Sequence, residues 1–258
     1  MGTILVKIGG AAADRDESLA ALCDEMLALS KEHRFLLVHG GGAEMTAISR
    51  KLGIEPVFRD GIRQTTPEEM DIADMVLAGK VNKKLVRLLR TRGLDAVGLS
   101  GSDGGIFTAQ PLGGPERRAS TRSGEVASID RRLLELLLGN GFTPVLSSTS
   151  MDQEGRGLNI NADSVAFSLA AHLAATALVF FSDIPGILSD GSVIQALSAA
   201  EAKDLIVKGV VTGGMIPKVS ASLEAIEGGV QKVIIGQYTG PGSLARLLEG
   251  KQGTRLWK

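Results

Sequence analysis

The sequence predicts an α/β protein with a mainly parallel sheet. Three observations carry that expectation: short apolar runs of strand length, their alternation with longer segments of helical period, and glycine clusters placed where the runs end. Glycine makes up 33 of the 258 residues, and it punctuates the elements without forming a low-complexity tract.

The first run, 3–8 (TILVKI), suits a central strand covered on both faces, and Gly9-Gly10 end it. A helix follows from about Asp16 to Lys31, with Leu19, Leu22, Cys23, Met26 and Leu29 on one face. Phe35 to Val38 form a second buried strand, closed by His39-Gly40-Gly41-Gly42, and another helix begins near Ala43. The stretch Ile54 to Thr66 is turn-rich and fits a hairpin. Pro67 suits a first helical turn. Met70, Ala73, Leu77, Val81, Leu85 and Leu88 then extend a helical period to about Arg92. Ala96 to Leu99 is a third strand, followed by Gly101-Ser102-Asp103-Gly104-Gly105. Residues 111–127 are polar and arginine-rich, as in a surface hairpin or excursion. A helix at Asp130 to Leu138 leads to the strand Thr143 to Ser147.

The second half repeats the rhythm. A helix starts near Asn161, Ala177 to Phe181 form a strand, helices follow at about 198–207 and 214–228, and Lys232 to Gly236 is another strand. Gly253 to Trp257 reads as a last edge strand. With no long linker, the best boundary lies near residue 175, giving lobes 1–175 and 176–258. Ligands in such sheets lie beyond the carboxyl ends of the strands, where the glycine clusters 9–10, 40–42 and 101–105 fall.

Bulk properties exclude several classes. A formal net charge of −1 and only one Trp, one Tyr and seven Phe argue against a nucleic-acid surface or a base-stacking platform. Cys23 is the single cysteine, so no internal disulfide forms, as expected of a cytoplasmic protein. No apolar run reaches membrane-spanning length, and the N-terminus does not read as a signal peptide. There is no G-x-x-x-x-G-K-[ST] loop, no G-x-G-x-x-G after the first strand, and no protein-kinase catalytic loop. His33, His39 and His172 lack metal-ligand spacing.

Five features carry candidate chemistry, and each has two readings. Lys7, a charge in an apolar strand, is either an edge-strand gatekeeper or a cation aimed into the crevice after Gly9. His39-Gly40-Gly41-Gly42 is either an ordinary turn or a set of backbone N–H groups at a helix start, suited to an anion. Arg63 is either solvated or a two-pronged clamp for a carboxylate. In Asn159-Ile160-Asn161-Ala162-Asp163, capping accounts for Asn161 and Asp163 but leaves Asn159 unexplained. Lys218, a turn beyond Gly213-Gly214, is either an exposed helix lysine or part of a phosphate site.

Taken in register, these segments resemble the N-acetylglutamate kinases of the amino-acid-kinase family. The resemblance runs end to end: Val6-Lys7-Ile8-Gly9-Gly10, Val38-His39-Gly40-Gly41-Gly42, Gly61-Ile62-Arg63, Leu77-Ala78-Gly79-Lys80-Val81-Asn82-Lys83, Val97-Gly98-Leu99-Ser100-Gly101, Asn159-Ile160-Asn161-Ala162-Asp163, Ser182-Asp183-Ile184-Pro185-Gly186-Ile187-Leu188 and Gly213-Gly214-Met215-Ile216-Pro217-Lys218. It implies an open αβα sandwich of the carbamate-kinase-like type. The N-terminal lobe would hold the acyl-amino acid and dimer contacts, and the C-terminal lobe ATP with Mg²⁺. The implied activity is transfer of the γ-phosphoryl of ATP to the side-chain carboxylate of N-acetyl-L-glutamate, a step of arginine biosynthesis.

By position, the resemblance implies that Lys7 and Lys218, one from each lobe, contact the transferred phosphoryl and that Asp163 organises them. Backbone N–H groups of Gly10 and Gly41 would donate to phosphoryl oxygens. Gly41, Gly42, Arg63 and Asn159 would hold the acylglutamate, and Gly9, Asp183, Gly186, Val210, Val211 and Thr212 would line the nucleotide site. No protein metal ligands are implied, Mg²⁺ being carried by ATP. The chain begins at its first strand, whereas arginine-inhibited members carry an extra N-terminal helix, so the resemblance is to the short, arginine-insensitive homodimer. Rival readings are a kinase of carrier-linked α-aminoadipate, an N-succinylglutamate kinase, and a non-catalytic amino-acid or nucleotide sensor. The segment Gly113 to Val126 matches no usable pattern, and Arg117, Arg118 and Arg122 are expected to face solvent.

Overall fold

The computed structural model describes residues 1–9, 16–59, 61–113 and 121–258. Strand β1 (Gly2–Ile8) is followed by helix α1 (Asp16–Leu29), β2 (His33–His39) and α2 (Gly42–Lys51). The hairpin β3 (Phe58–Arg59) and β4 (Ile62–Arg63) precedes α3 (Pro67–Ala73), a π-helical stretch Asp74–Val81, and α4 (Asn82–Arg90). Next come β5 (Ala96–Leu99), β6 (Phe107–Pro111), β7 (Ser123–Ile129), α5 (Arg132–Gly139), β8 (Thr143–Ser147), β9 (Thr149–Met151), β10 (Gly157–Ile160) and α6 (Ala162–His172). The chain continues through β11 (Ala177–Phe181), a small hairpin of β12 (Leu188–Ser189) and β13 (Ser192–Val193), and β14 (Ala196–Ser198). It ends with α7 (Ala199–Val207), α8 (Met215–Glu227), β15 (Lys232–Gly236), α9 (Ser243–Leu248) and β16 (Thr254–Trp257).

Two compact units emerge: Met1–Leu36 with Ala166–Lys258, and Leu37–Val165. This is not the contiguous division expected near residue 175. The reason is hydrogen bonding: β1 pairs in parallel with β11, from Ile4 opposite Ala177 to Lys7 opposite Phe180. The first strand therefore belongs with the C-terminal half of the chain.

In the first unit, strands run in the order β14–β16–β15–β11–β1. The pairs β1–β11, β11–β15 and β14–β16 are parallel, and β15–β16 is antiparallel. Leu5, Val6, Leu178, Val179, Phe180, Val233 and Ile234 are fully buried, so their runs read as continuously apolar. β16 is not an edge strand, because β14 covers it. In α8, Val219, Leu223 and Ile226 form the buried face. Lys218 precedes that face, one turn into the helix.

In the second unit, β2, β8 and β5 pair in parallel, and β10, β7, β6 and β9 close into a small barrel. The expected excursion at 111–127 thus supplies barrel walls at its two ends. Arg117 and Arg118 lie outside the described residues. Thr66 caps α3: its side chain accepts from the Glu69 N–H while the Glu69 carboxylate accepts from the Thr66 N–H, with Pro67 in the first turn. The helical period expected to continue to Arg92 does continue, but through π-helical turns at Asp74–Val81, a geometry often found near functional sites. Met45, Met70, Ile72, Ala73, Val76 and Leu77 form the core beneath it. No described helix is long and apolar enough to cross a membrane.

Candidate active site

Two lysines meet at one aromatic ring in the first unit. The Lys7 Nζ lies 4.8 Å from the centroid of Phe180 and the Lys218 Nζ lies 5.1 Å from it. The register of β1 against β11 sets Lys7 beside Phe180, and α8 brings Lys218 to the same ring. Both lysines sit in one unit, not one in each lobe as the contiguous division implied. Lys218 Nζ donates to Ser182 Oγ at 3.0 Å. A Cβ on Gly9 would collide with the Lys7 ammonium, so glycine is what lets that cation fold back over the end of β1. The negative face of a ring attracts cations by about 0.5–2 kcal/mol each, which eases the repulsion between two like charges. The result is a concentrated positive centre at the carboxyl ends of β1 and β11, suited to a phosphoryl group. Phe180 itself stacks on Phe167 at 5.3 Å.

The remaining residues assigned to the nucleotide differ in character. Asp183 is exposed, as are Val210 and Thr212, whereas Val211 is buried. Gly186 is buried, with φ 156°, and a Cβ there would lie 2.7 Å from Thr254 Oγ1 and 2.8 Å from Val193 Cγ1. Packing against β13 and β16 is therefore enough to require glycine at 186. Gly10 lies outside the described residues.

The second unit gathers the other expected residues into a polar frame. Gly41 is the N-cap of α2 with φ 155°. A Cβ there would approach Leu77 Cδ2 to 2.8 Å and Val81 Cγ2 to 3.1 Å, so the π-helical turns press directly on this glycine. Nothing lies within 4 Å of the corresponding position on Gly42. Arg63 is not a solvated loop arginine. It is 8% exposed, and its guanidinium donates to Glu69 Oε1 (3.3 Å), to the Gly42 carbonyl (3.4 Å) and to Thr46 Oγ1. The Phe58 ring of the β3–β4 hairpin packs over it at 4.8 Å. Of the five N–H donors of an arginine, Nε–H and one Nη1–H have no acceptor among the described residues, and they point to different sides of the guanidinium.

Asn159 now has a place. Its Nδ2 donates to Thr65 Oγ1 at 3.0 Å and lies 4.0 Å from Met45 Sδ. Its own N–H bonds the Arg122 carbonyl, whose N–H in turn bonds the Thr65 carbonyl, both at 2.7 Å. Ser123 Oγ accepts from the Thr65 N–H at 2.8 Å and donates to the Arg63 carbonyl at 2.6 Å. Arg63, Thr65, Asn159 and Gly42 are thus cross-linked across β4, β7, β10 and α2. Asp163 stands in the first turn of α6, its N–H bonded to Asn161 Oδ1 at 2.7 Å, so the capping role expected of this pair is present.

Sequence reasoning missed Phe180, Thr46, Thr65, Glu69 and the partners of His39. The T-x-x-E spacing of Thr66 and Glu69 was a readable capping signal, but nothing local marked Glu69 as a partner for Arg63. His39 is buried, and loss of hydration lowers its pKa from 6.5 to about 4.

With this geometry in view, comparison with known proteins is decisive. The profile of the amino acid kinase family matches residues 2–237. The chain belongs to the amino acid kinase family. An acetylglutamate kinase from Nostoc punctiforme is 42% identical over 235 residues, covering 89% of this chain and 78% of that one. Among solved structures, the N-acetylglutamate synthase from Neisseria gonorrhoeae, complexed with coenzyme A and N-acetyl-glutamate, matches with a TM-score of 0.83 and 25% identity, over all of this chain and 59% of that one. Carbamate kinase from Giardia lamblia bound to AMP-PNP matches with a TM-score of 0.72 and 17% identity over 100% and 98% of the two chains, a likeness of fold. The α/β fold of this kinase family is the architecture the sequence led us to expect.

Proposed function

We propose that this protein is an N-acetylglutamate kinase, transferring the γ-phosphoryl of ATP to the side-chain carboxylate of N-acetyl-L-glutamate. The observation that carries this reading is the convergence of Lys7 and Lys218 on the Phe180 ring beside Gly9. Relatives named for this activity support the choice of substrate.

The chemistry asks for little covalent help. A carboxylate is already ionised at neutral pH, so no general base is needed. The barrier comes from bringing two anions together and from charge spreading over the phosphoryl oxygens, so catalysis is positioning plus neutralisation. In our reading Lys7 and Lys218 hold the oxygens of the transferred group, and Asp163 organises the two ammonium groups. The backbone N–H groups of Gly10 and Gly41 donate to the same oxygens. Gly41, Gly42, Arg63 and Asn159 hold the acylglutamate, with Arg63 on the carboxylate that does not react. Gly9, Asp183, Gly186 and Val210 to Thr212 line the nucleotide side. Mg²⁺ arrives as part of MgATP, a substrate, not a resident metal. We also infer a cytoplasmic homodimer acting in arginine biosynthesis.

Trapping the product with hydroxylamine tests this reading. The enzyme is offered MgATP with N-acetylglutamate, N-succinylglutamate and α-aminoadipate derivatives in parallel. Hydroxamate from N-acetylglutamate at the highest kcat/KM is expected; turnover of none would mean a binding protein without this chemistry.

A further inference from the structure

Among the segments matched in the sequence, Leu77 to Lys83 contributes no residue to the roles above, although it ends in a buried asparagine followed by an exposed lysine that bonds it. Asn82 is fully buried, and its amide is oriented from three directions. Nδ2 has two hydrogens: one goes to the Val145 carbonyl at 2.8 Å, and the other faces His39, with the Leu99 carbonyl a longer 3.3 Å from the same nitrogen, while Oδ1 accepts from Lys83 Nζ at 3.1 Å. Lys83 is itself tied to the Gly98 carbonyl at 2.9 Å. A Cβ on Gly98 would collide with Asn82 Oδ1 and lie 2.7 Å from both Lys83 Nζ and Val86 Cγ2, so glycine there leaves room for the amide.

That orientation dictates the state of His39. Its Nε2 lies 3.0 Å from Asn82 Nδ2, a donor, and must therefore accept. The ring proton is then on Nδ1, which donates to the Gly40 carbonyl at 2.8 Å. A doubly protonated ring would set N–H against N–H. Burial, which holds the ring neutral, agrees with this arrangement.

The Gly40 carbonyl and the Gly41 N–H belong to one planar peptide, and no peptide bond among the described residues is cis. In a trans peptide the two bonds lie in one plane and point in opposite directions, so fixing the carbonyl fixes the direction of the N–H. Glycine at 40, 41 and 42 gives this turn little stiffness of its own. We propose that His39 is a positioning residue for phosphoryl transfer: held by Asn82, it locks the Gly40–Gly41 peptide and aims the Gly41 N–H at the transferred group. The inference rests on the reading of Gly41 as a phosphoryl donor.

Kinetics of His39→Leu and His39→Asn test it. Leucine removes both ring nitrogens, whereas asparagine returns an N–H near the position of Nδ1. Asn82 keeps its bonds to Val145 and Leu99 in either variant. His39→Leu is expected to lower kcat by about 10- to 100-fold, below the full loss of an oxyanion donor, with both KM values within about twofold of the parent. His39→Asn should recover most of that loss. An unchanged kcat in His39→Leu, or equal impairment in the two variants, overturns the proposal. Should His39→Leu not fold, Gly98→Ala, which displaces Asn82 from a distance, takes its place: a kcat loss supports the proposal and an unchanged kcat overturns it. The ¹⁵N–¹H resonance of Gly41, followed on adding MgADP, aluminium fluoride and N-acetylglutamate, separates the two layers. No response in the parent enzyme defeats the reading of Gly41 and the inference with it. A response that is the same in the parent and in His39→Leu defeats the inference alone.

Discussion

Removing Glu69 strands a buried charge, and its cost follows from the geometry around Arg63. The two side chains are 7% and 3% exposed and pair at 3.3 Å. The other guanidinium partners, the Gly42 carbonyl and Thr46 Oγ1, are neutral. In Glu69→Ala, Arg63 therefore keeps two hydrogen bonds but no counter-charge. Breaking such a pair costs about 3–5 kcal/mol, and losing the carboxylate that accepts the Thr66 N–H weakens the α3 cap by about a further 0.5–1 kcal/mol. A total of about 4–6 kcal/mol is expected, read from denaturant titration followed by far-UV circular dichroism. The double variant Arg63→Met with Glu69→Leu should recover most of that stability, because no buried charge is left uncompensated. It should nevertheless bind N-acetylglutamate about 100-fold more weakly, through loss of a charge-assisted contact worth roughly 3 kcal/mol. A cost below about 1 kcal/mol for Glu69→Ala would refute the claim that the charge is stranded. A fully active double variant would refute the role of Arg63 in holding substrate.

Three further outcomes follow from the same structure. Phe180→Leu removes the ring shared by Lys7 and Lys218 and should lower kcat about tenfold, as expected for loss of about 1–2 kcal/mol of charge stabilisation; an unchanged kcat in steady-state assay would show that the ring does not hold the ammonium groups in place. Gly41→Ala sets a Cβ 2.8 Å from Leu77 Cδ2 and should lose about 1–3 kcal/mol in a thermal melt, whereas Gly42→Ala, with nothing within 4 Å, should stay within about 0.5 kcal/mol of the parent. For His39, the unfolded chain binds its proton below about 6.5 and the folded protein only below about 4, so stability falls as pH drops through that window. The contribution lost is about 3 kcal/mol, and denaturation midpoints of the parent and His39→Asn compared at pH 7 and pH 4.5 should reveal it as a steeper acid loss in the parent.

Strand-length apolar runs were legible because both faces of β1, β2, β8, β11 and β15 are covered, so hydrophobicity alone marks them. The short strands were not: β9, β10 and β12 to β14 span two to four residues each, too few for a period to show. Overlooking β14 is what made β16 look like an edge. The π-helical turns at 74–81 kept apolar residues inward, so the period did not betray them, yet they set Leu77 and Val81 against Gly41.

The site was legible by residue type and less so by arrangement. Glycine next to Lys7 and ahead of Lys218 pointed to anions, but their meeting at Phe180 depends on strand register and a helix far along the chain. Arg63 looked like a loop arginine because Glu69, Thr46 and Phe58 reach it only through the fold. His39 was dismissed for lacking metal spacing, while its partners Asn82 and Gly40 answer to a different geometry.

The most direct test of the account is the rate of acyl-phosphate formation by Lys7→Ala, Lys218→Ala and the double variant. Each single change should lower kcat by about 10²–10³ with little change in KM for N-acetylglutamate, and the double should fall well short of the product of the two losses, as groups serving one transition state do. Single variants with parental kcat would contradict the claim that these two ammonium groups carry the phosphoryl transfer.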